Sequence, residues 1–216
     1  MKIIALRHGE KDKEGNLTSH GREMSQNLGA RIALLHNPVA VSSSTPRVRD
    51  TVSALLEWNK HPSIPVRLRK YLSIDGFSEE FNIRWESESK NKKQEDVMQD
   101  FLDGKWWDIT PQKEAQKFIR KLIHIVGHFD RNNGKRMSDV ASGFHGTAIE
   151  SILLTLFWDD APDNWKTPIN FSEHAFLEVQ NGEKWNPILV VFYRDTIKTI
   201  TLTKMRELYQ ALYNQR

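Results

Sequence analysis

The chain contains no cysteine. Disulfides, thiolate nucleophiles and cysteine-type zinc sites are therefore excluded. Long apolar runs are missing too: none approaches the roughly 18 residues of a membrane span. Met1 to Leu6 lacks the longer apolar core and the small-residue cleavage site of a secretory leader. A cytoplasmic protein with no membrane partner is expected. Charge of one sign is also scarce, with 31 Lys+Arg against 28 Asp+Glu and a formal net charge of +3. So small a surplus favours anionic ligands only weakly, and no nucleic-acid-binding motif accompanies it. Internal repeats and low-complexity segments are absent as well.

What remains is an ordinary globular composition. The chain has 216 residues, 38% hydrophobic and 27% charged, with seven tryptophans and ten phenylalanines to fill a core. That length suits a single α/β domain over 1–216.

The first ten residues organise the rest. Ile3, Ala5 and Leu6 belong to a short apolar run that reads as a buried strand, and Arg7, His8 and Gly9 follow without a spacer. Ligands of open α/β sheets bind at the carboxyl ends of the strands. A cation, a potential nucleophile and a glycine that admits close backbone approach suit an anion there.

The chain then alternates between strand and helix patterns. A helix begins at Thr18 or Ser19, with Met24, Leu28, Ile32 and Leu35 as its expected buried face, and Asn37-Pro38 stops it. Val39 to Val41 is a second strand. Thr45 is the expected cap and Pro46 the first residue of the next helix, which puts Arg47 among unpaired backbone N–H groups. Ile64 to Leu68 is a third strand. Residues 75–109 lose the pattern and read as a cap insertion, with a short amphipathic helix near Val97 to Leu102. A helix from Thr110-Pro111 and a turn at Asn132 to Gly134 follow. The strand Met137 to Phe144 then delivers His145 and Gly146 to another helix start. Strands at Phe176–Val179, Ile188–Tyr193 and Ile197–Leu202, and a closing helix, complete the chain.

Three strand-to-helix junctions thus carry Arg7-His8, Arg47 and His145. In an α/β sheet such junctions share one edge, and two arginines with two histidines suit a phosphoryl group, whose oxygens need several fixed donors. His8 can attack phosphorus if its ring is neutral and its other nitrogen is held by an acceptor. His145 can stabilise the developing charge.

With these motifs in order, the sequence resembles the histidine phosphatase, or phosphoglycerate mutase-like, superfamily. The resemblance rests on Leu6 to Glu10, on Leu17-Thr18 with Gly21, on Ser43 through Arg47 to Thr51, and on His145-Gly146. It implies an α/β three-layer sandwich, a mostly parallel central sheet flanked by helices, with the 75–109 stretch as a small cap. It further implies a phosphohistidine on His8, a phosphate pocket of Arg7, Gly9, Arg47, His145 and Gly146, and no metal or cofactor. Gly146 stands where the acid phosphatase branch has aspartate, which points to the mutase-like branch.

Two departures from the family pattern stand out. The glutamate that commonly serves as general acid falls near Ile74 here; Asp75, Glu79 and Glu80 are the nearby carboxylates, in that order of preference. The loop after His8 is shorter than in the glycolytic mutases. Arg49 is expected at the surface. The expectation is a phosphatase acting on a phosphorylated small molecule or phosphoprotein. A non-catalytic phosphate-binding module and a mutase are the alternatives. Substrate identity and oligomeric state are not encoded in these motifs.

Overall fold

In the computed structural model, residues 1–69, 77–106, 108–131, 137–168, 170, 173–183 and 186–214 are described. Asp75 and the expected Asn132 to Gly134 turn lie outside them. Among the described residues, seven strands form one sheet: β1 (Lys2–Arg7), β2 (Val39–Ser42), β3 (Val66–Leu68), β4 (Val140–Phe144), β5 (His174–Gln180), β6 (Ile188–Tyr193) and β7 (Thr196–Thr201). Their order is β3-β2-β4-β1-β5-β6-β7. The pairs from β3 to β1 are parallel, and those from β1 to β7 are antiparallel. The sheet is therefore mixed, yet five of its seven strands run in one direction.

The helices are α1 (Ser19–Arg31), α2 (Pro46–Trp58), α3 (Glu79–Glu88), α4 (Gln94–Leu102), α5 (Pro111–Arg131), α6 (Gly146–Leu156) and α7 (Leu202–Asn214). Two apolar cores lie on the two sides of β1, as its alternating side chains require. Ile3 and Ala5 join α3 to α7, whereas Ile4 and Leu6 join α2, Leu35 and Ala40. The expected stripes of α2 and α5 are buried: Val48, Val52, Leu55 and Leu56 in one, Ala115, Phe118, Ile119, Leu122 and Val126 in the other. No described helix is long and apolar enough to cross a membrane.

The first helix departs from its sequence pattern. It ends at Arg31, and its buried residues are Gly21, Ser25 and Gly29; Met24 and Leu28 are only half-buried. Small residues bring the backbones of α1 and α2 together: a methyl group at Gly29 would overlap the Leu55 carbonyl. Close helix packing thus outweighs burial of the larger side chains.

At the opposite sheet end from the site, the buried Asp139 carboxylate accepts from the Lys2 and His36 amides at 2.7 and 2.8 Å. That carboxylate ties β1 to the segment before β2.

Candidate active site

The order β2-β4-β1 places the carboxyl ends of three parallel strands side by side. Arg7 pairs with Phe144 in the ladder, and the His8 amide donates to the Phe144 carbonyl at 3.3 Å. His8 and His145 are consequently neighbours, with ring centroids 5.5 Å apart in an edge-to-face arrangement. Both are almost fully buried.

His8 Nδ1 lies 2.8 Å from the carbonyl oxygen of Gly9. A carbonyl only accepts, so Nδ1 carries the proton and Nε2 keeps its lone pair. Burial pushes the imidazole down from 6.5 to about 3; the charges of Arg47, His145 and Arg7 act in the same direction against the Gly9 bond. At neutral pH the ring is uncharged with Nε2 unprotonated. Sequence reasoning asked for that state, and a backbone carbonyl supplies it.

Gly9 is held from two sides. Its amide donates to Thr51 Oγ1 at 2.9 Å, and the Thr51 hydroxyl donates to the Arg47 carbonyl at 2.7 Å. This chain couples the residue after His8 to the first turn of α2. A Cβ at Gly9 would come within 2.7 Å of the Gly21 carbonyl, so the close approach requires glycine. Thr18 caps α1 by accepting from the Gly21 amide at 3.0 Å, and its hydroxyl donates to Glu10 Oε2 at 3.0 Å.

Arg47 sits in the first turn of α2 and donates from Nη1 to the Gly15 carbonyl at 3.4 Å. Gly15 has φ +87°, a left-handed conformation suited to glycine. Arg47 Nε is buried and has no hydrogen-bond partner among the described residues. An unmet buried N–H costs about 1–3 kcal/mol, which an anion would recover. Burial holds Arg47 below its ordinary value. It does the same to Arg7, where the carboxylates of Glu150, Glu95 and Glu173 act in opposition, Glu150 most strongly.

Thr45 does not cap α2 with its side chain. Its hydroxyl instead lies 3.2 Å from His145 Nε2, with Ser43 Oγ at 3.5 Å. A hydroxyl can accept from a protonated Nε2 or donate to an unprotonated one, so both neighbours suit either tautomer of the ring. Its ring sits at the start of α6, as its N-cap residue, with Gly146 the first helical residue.

The structure brings Arg7, His8, Gly9, Arg47 and His145 into one cluster with the start of α6 at Gly146. The carboxylates are distributed differently. Asp75 lies outside the described residues. Glu79 and Glu80 are exposed in the first turn of α3, whose cap Ser78 is fastened to α5: its amide and hydroxyl donate to Glu114 at 2.7 and 2.6 Å. Glu80 lines a separate surface cavity with Lys113 and Leu212, and no member of the His8 cluster lines it. Arg49 is exposed and paired with Asp50 at 3.1 Å.

Sequence reasoning passed over three groups that act on this cluster. Glu150, fully buried one turn into α6, had a signal, since it is a lone acid in an apolar helix. Glu95, exposed in the first turn of α4, stands among many charges of both signs, where no single carboxylate is distinctive. Lys11, in the loop after His8, has no signal beyond its polarity. Among the described residues, no group of three or more His, Asp or Glu could hold a metal ion.

Comparison with known proteins follows this geometry. The profile of the histidine phosphatase superfamily (branch 1) matches residues 3–189. A mycobacterial glucosyl-3-phosphoglycerate phosphatase is 16% identical with a TM-score of 0.53, over 93% of this chain and 96% of that one. A phosphoserine phosphatase from Entamoeba histolytica is 17% identical with a TM-score of 0.55, over 87% and 94%. A phosphoglycerate mutase from Bacillus anthracis is 14% identical with a TM-score of 0.51, over 96% of both chains. At these identities the likeness is one of fold. A curated relative, the 3'-5' exoribonuclease YhaM of Listeria monocytogenes, is 21% identical over 81 residues, 38% of this chain and 26% of that protein's length.

Proposed function

Because this chain belongs to the histidine phosphatase superfamily (branch 1), we propose that it hydrolyses phosphomonoesters through a phosphohistidine on His8. The observation that carries the reading is the bond from His8 Nδ1 to the Gly9 carbonyl, which places the proton on Nδ1 and keeps Nε2 unprotonated in a neutral ring. In the first step Nε2 attacks phosphorus in line, the P–O bond to the leaving group breaks, and that oxygen takes a proton. Water then attacks phosphorus and yields a proton to the group that gave one in the first step, the N–P bond breaks, and inorganic phosphate leaves with Nε2 restored. Arg7, Arg47 and His145 hold the phosphoryl oxygens, with the Gly9 and Gly146 backbones beside them. The substrate is a phosphorylated small molecule or a phosphorylated protein side chain.

In this reading residues 1–216 act as one domain, and 75–109 is a cap beside the pocket. Support for the cap comes from Glu95, which acts electrostatically on Arg7 from the start of α4. The proton donor is a carboxylate from that stretch, with Asp75 the first choice and Glu79 the second; Glu80, which lines a separate cavity, ranks last. Carboxylate-to-amide variants at these positions, and at Glu95, identify it: loss of the donor cripples hydrolysis of an alkyl phosphate and largely spares an aryl phosphate with a good leaving group.

The reading is tested at His8. His8→Ala is expected to abolish turnover of aryl phosphates while the fold persists, and acid-labile phosphate should be trapped on the wild type quenched during turnover. Retention of most activity by the Ala variant would refute the mechanism.

A further inference from the structure

Three small residues lie side by side across the middle of the sheet. Ala5 on β1 stands opposite Ser142 on β4 and opposite Ala175 on β5. Bulkier side chains two positions away on the same face, Ile3, Val140, Phe144 and Leu177, bound the trough they leave. Helices α5 and α6 roof this trough without filling it, with Phe118 and Leu122 on one and Ile149 and Leu153 on the other. The result is a cavity of about 230 Å³. Interiors are ordinarily packed with few voids larger than a water molecule, so a space of this size is not a packing remnant. Its floor is buried, whereas Val140 and Ile125 on its rim are half-buried and Val39 is exposed. Val39 and Val140 are the first residues of β2 and β4, so the mouth lies at the amino ends of these strands. His8 and His145 stand past the carboxyl ends, and neither they nor Arg7 and Arg47 line the cavity.

One group in the floor is out of keeping with the rest. Ser142 is only 5% exposed and lines the cavity, and its hydroxyl has no hydrogen-bond partner among the described residues. A buried hydroxyl left unmet is costly, and a guest that hydrogen-bonds to it removes that cost. Among the described residues Lys121, exposed at the rim, is the one charged side chain in the lining. A charged guest would therefore lose its hydration without a counter-charge inside. A dry apolar cavity of about 150 Å³ already admits benzene, and the larger volume here admits a second ring. We propose that this cavity is a second binding site, which takes a compact, uncharged, largely apolar molecule of one or two rings with a hydrogen-bonding group directed at Ser142. The inference does not depend on the chemistry at His8.

Indole and indene test it, since they share a two-ring shape and differ in one N–H group. By isothermal calorimetry the wild type is expected to bind both, and indole about three- to tenfold more tightly, the ratio supplied by one net hydrogen bond. Ser142→Ala should lower the affinity for indole to that for indene and leave indene little changed. Ile125→Trp enlarges a half-buried side chain at the mouth, which spares the core, and should weaken both probes about tenfold or more. Amide shifts on adding indole to the labelled wild type should centre on Ala5, Ser142 and Ala175. A wild type that binds neither probe at millimolar concentration overturns the proposal. So does equal affinity for the two, a preference for indole that survives Ser142→Ala, binding undiminished in Ile125→Trp, or shifts centred elsewhere.

Discussion

The neutral state of His8 should be measurable as a pH dependence of folding. His8→Asn removes the titrating ring, while an asparagine amide can still donate to the Gly9 carbonyl from near the Nδ1 position. The wild-type ring takes a proton near 6.5 when unfolded but only near 3 when folded, chiefly because burial disfavours the charge. Between those values the unfolded state binds more protons, so wild-type stability falls as pH falls. The loss is about 1.4 kcal/mol per pH unit, about 2.7 kcal/mol by pH 4.5 and about 4.4 kcal/mol by pH 3, where the folded ring is itself half protonated. Urea unfolding of both proteins from pH 7.5 to 4.5, in buffer without phosphate or other oxyanions, reads this directly. The other titrating groups are common to both proteins and cancel in the difference. Relative to the variant, the wild type should lose between 2 and 3 kcal/mol, or about 2.7, over that range with unchanged m-values. A flat difference would refute the reasoning, as would a His8 ring resonance titrating near pH 6.5.

Two further outcomes follow from the same geometry. Arg47→Ala removes a donor to the transition-state anion and should lower kcat/KM roughly a hundredfold. Its thermal midpoint should change little in the absence of phosphate, because its Nε has no hydrogen-bond partner among the described residues. Gly29→Ala would ordinarily favour a helix by about 1 kcal/mol; here the methyl meets the Leu55 carbonyl, so chemical denaturation should show a loss of about 1–3 kcal/mol instead.

Local sequence is enough to say which residues stand at strand ends and helix starts. Arg7 and His8 follow an apolar run, Arg47 follows a proline at a helix start, and His145 precedes an apolar helix; each placement depends only on neighbours in the chain. The stripes of α2 and α5 were legible for the same reason, since burial on one helix face writes a 3.6-residue period into the sequence. The tertiary structure decided what these residues become. Convergence of the three junctions depends on the order β2-β4-β1, a pairing of segments about 100 residues apart. The face of α1 depends on how closely α2 approaches, and the Thr45 hydroxyl turns to His145 because that ring arrives from β4. Periodicity reports that a residue is buried or exposed; it does not report which carbonyl, hydroxyl or charge faces it. That information resides in contacts between elements distant in sequence: they bury His8 and so set its charge, and through Thr51 they hold the Gly9 whose carbonyl selects its tautomer.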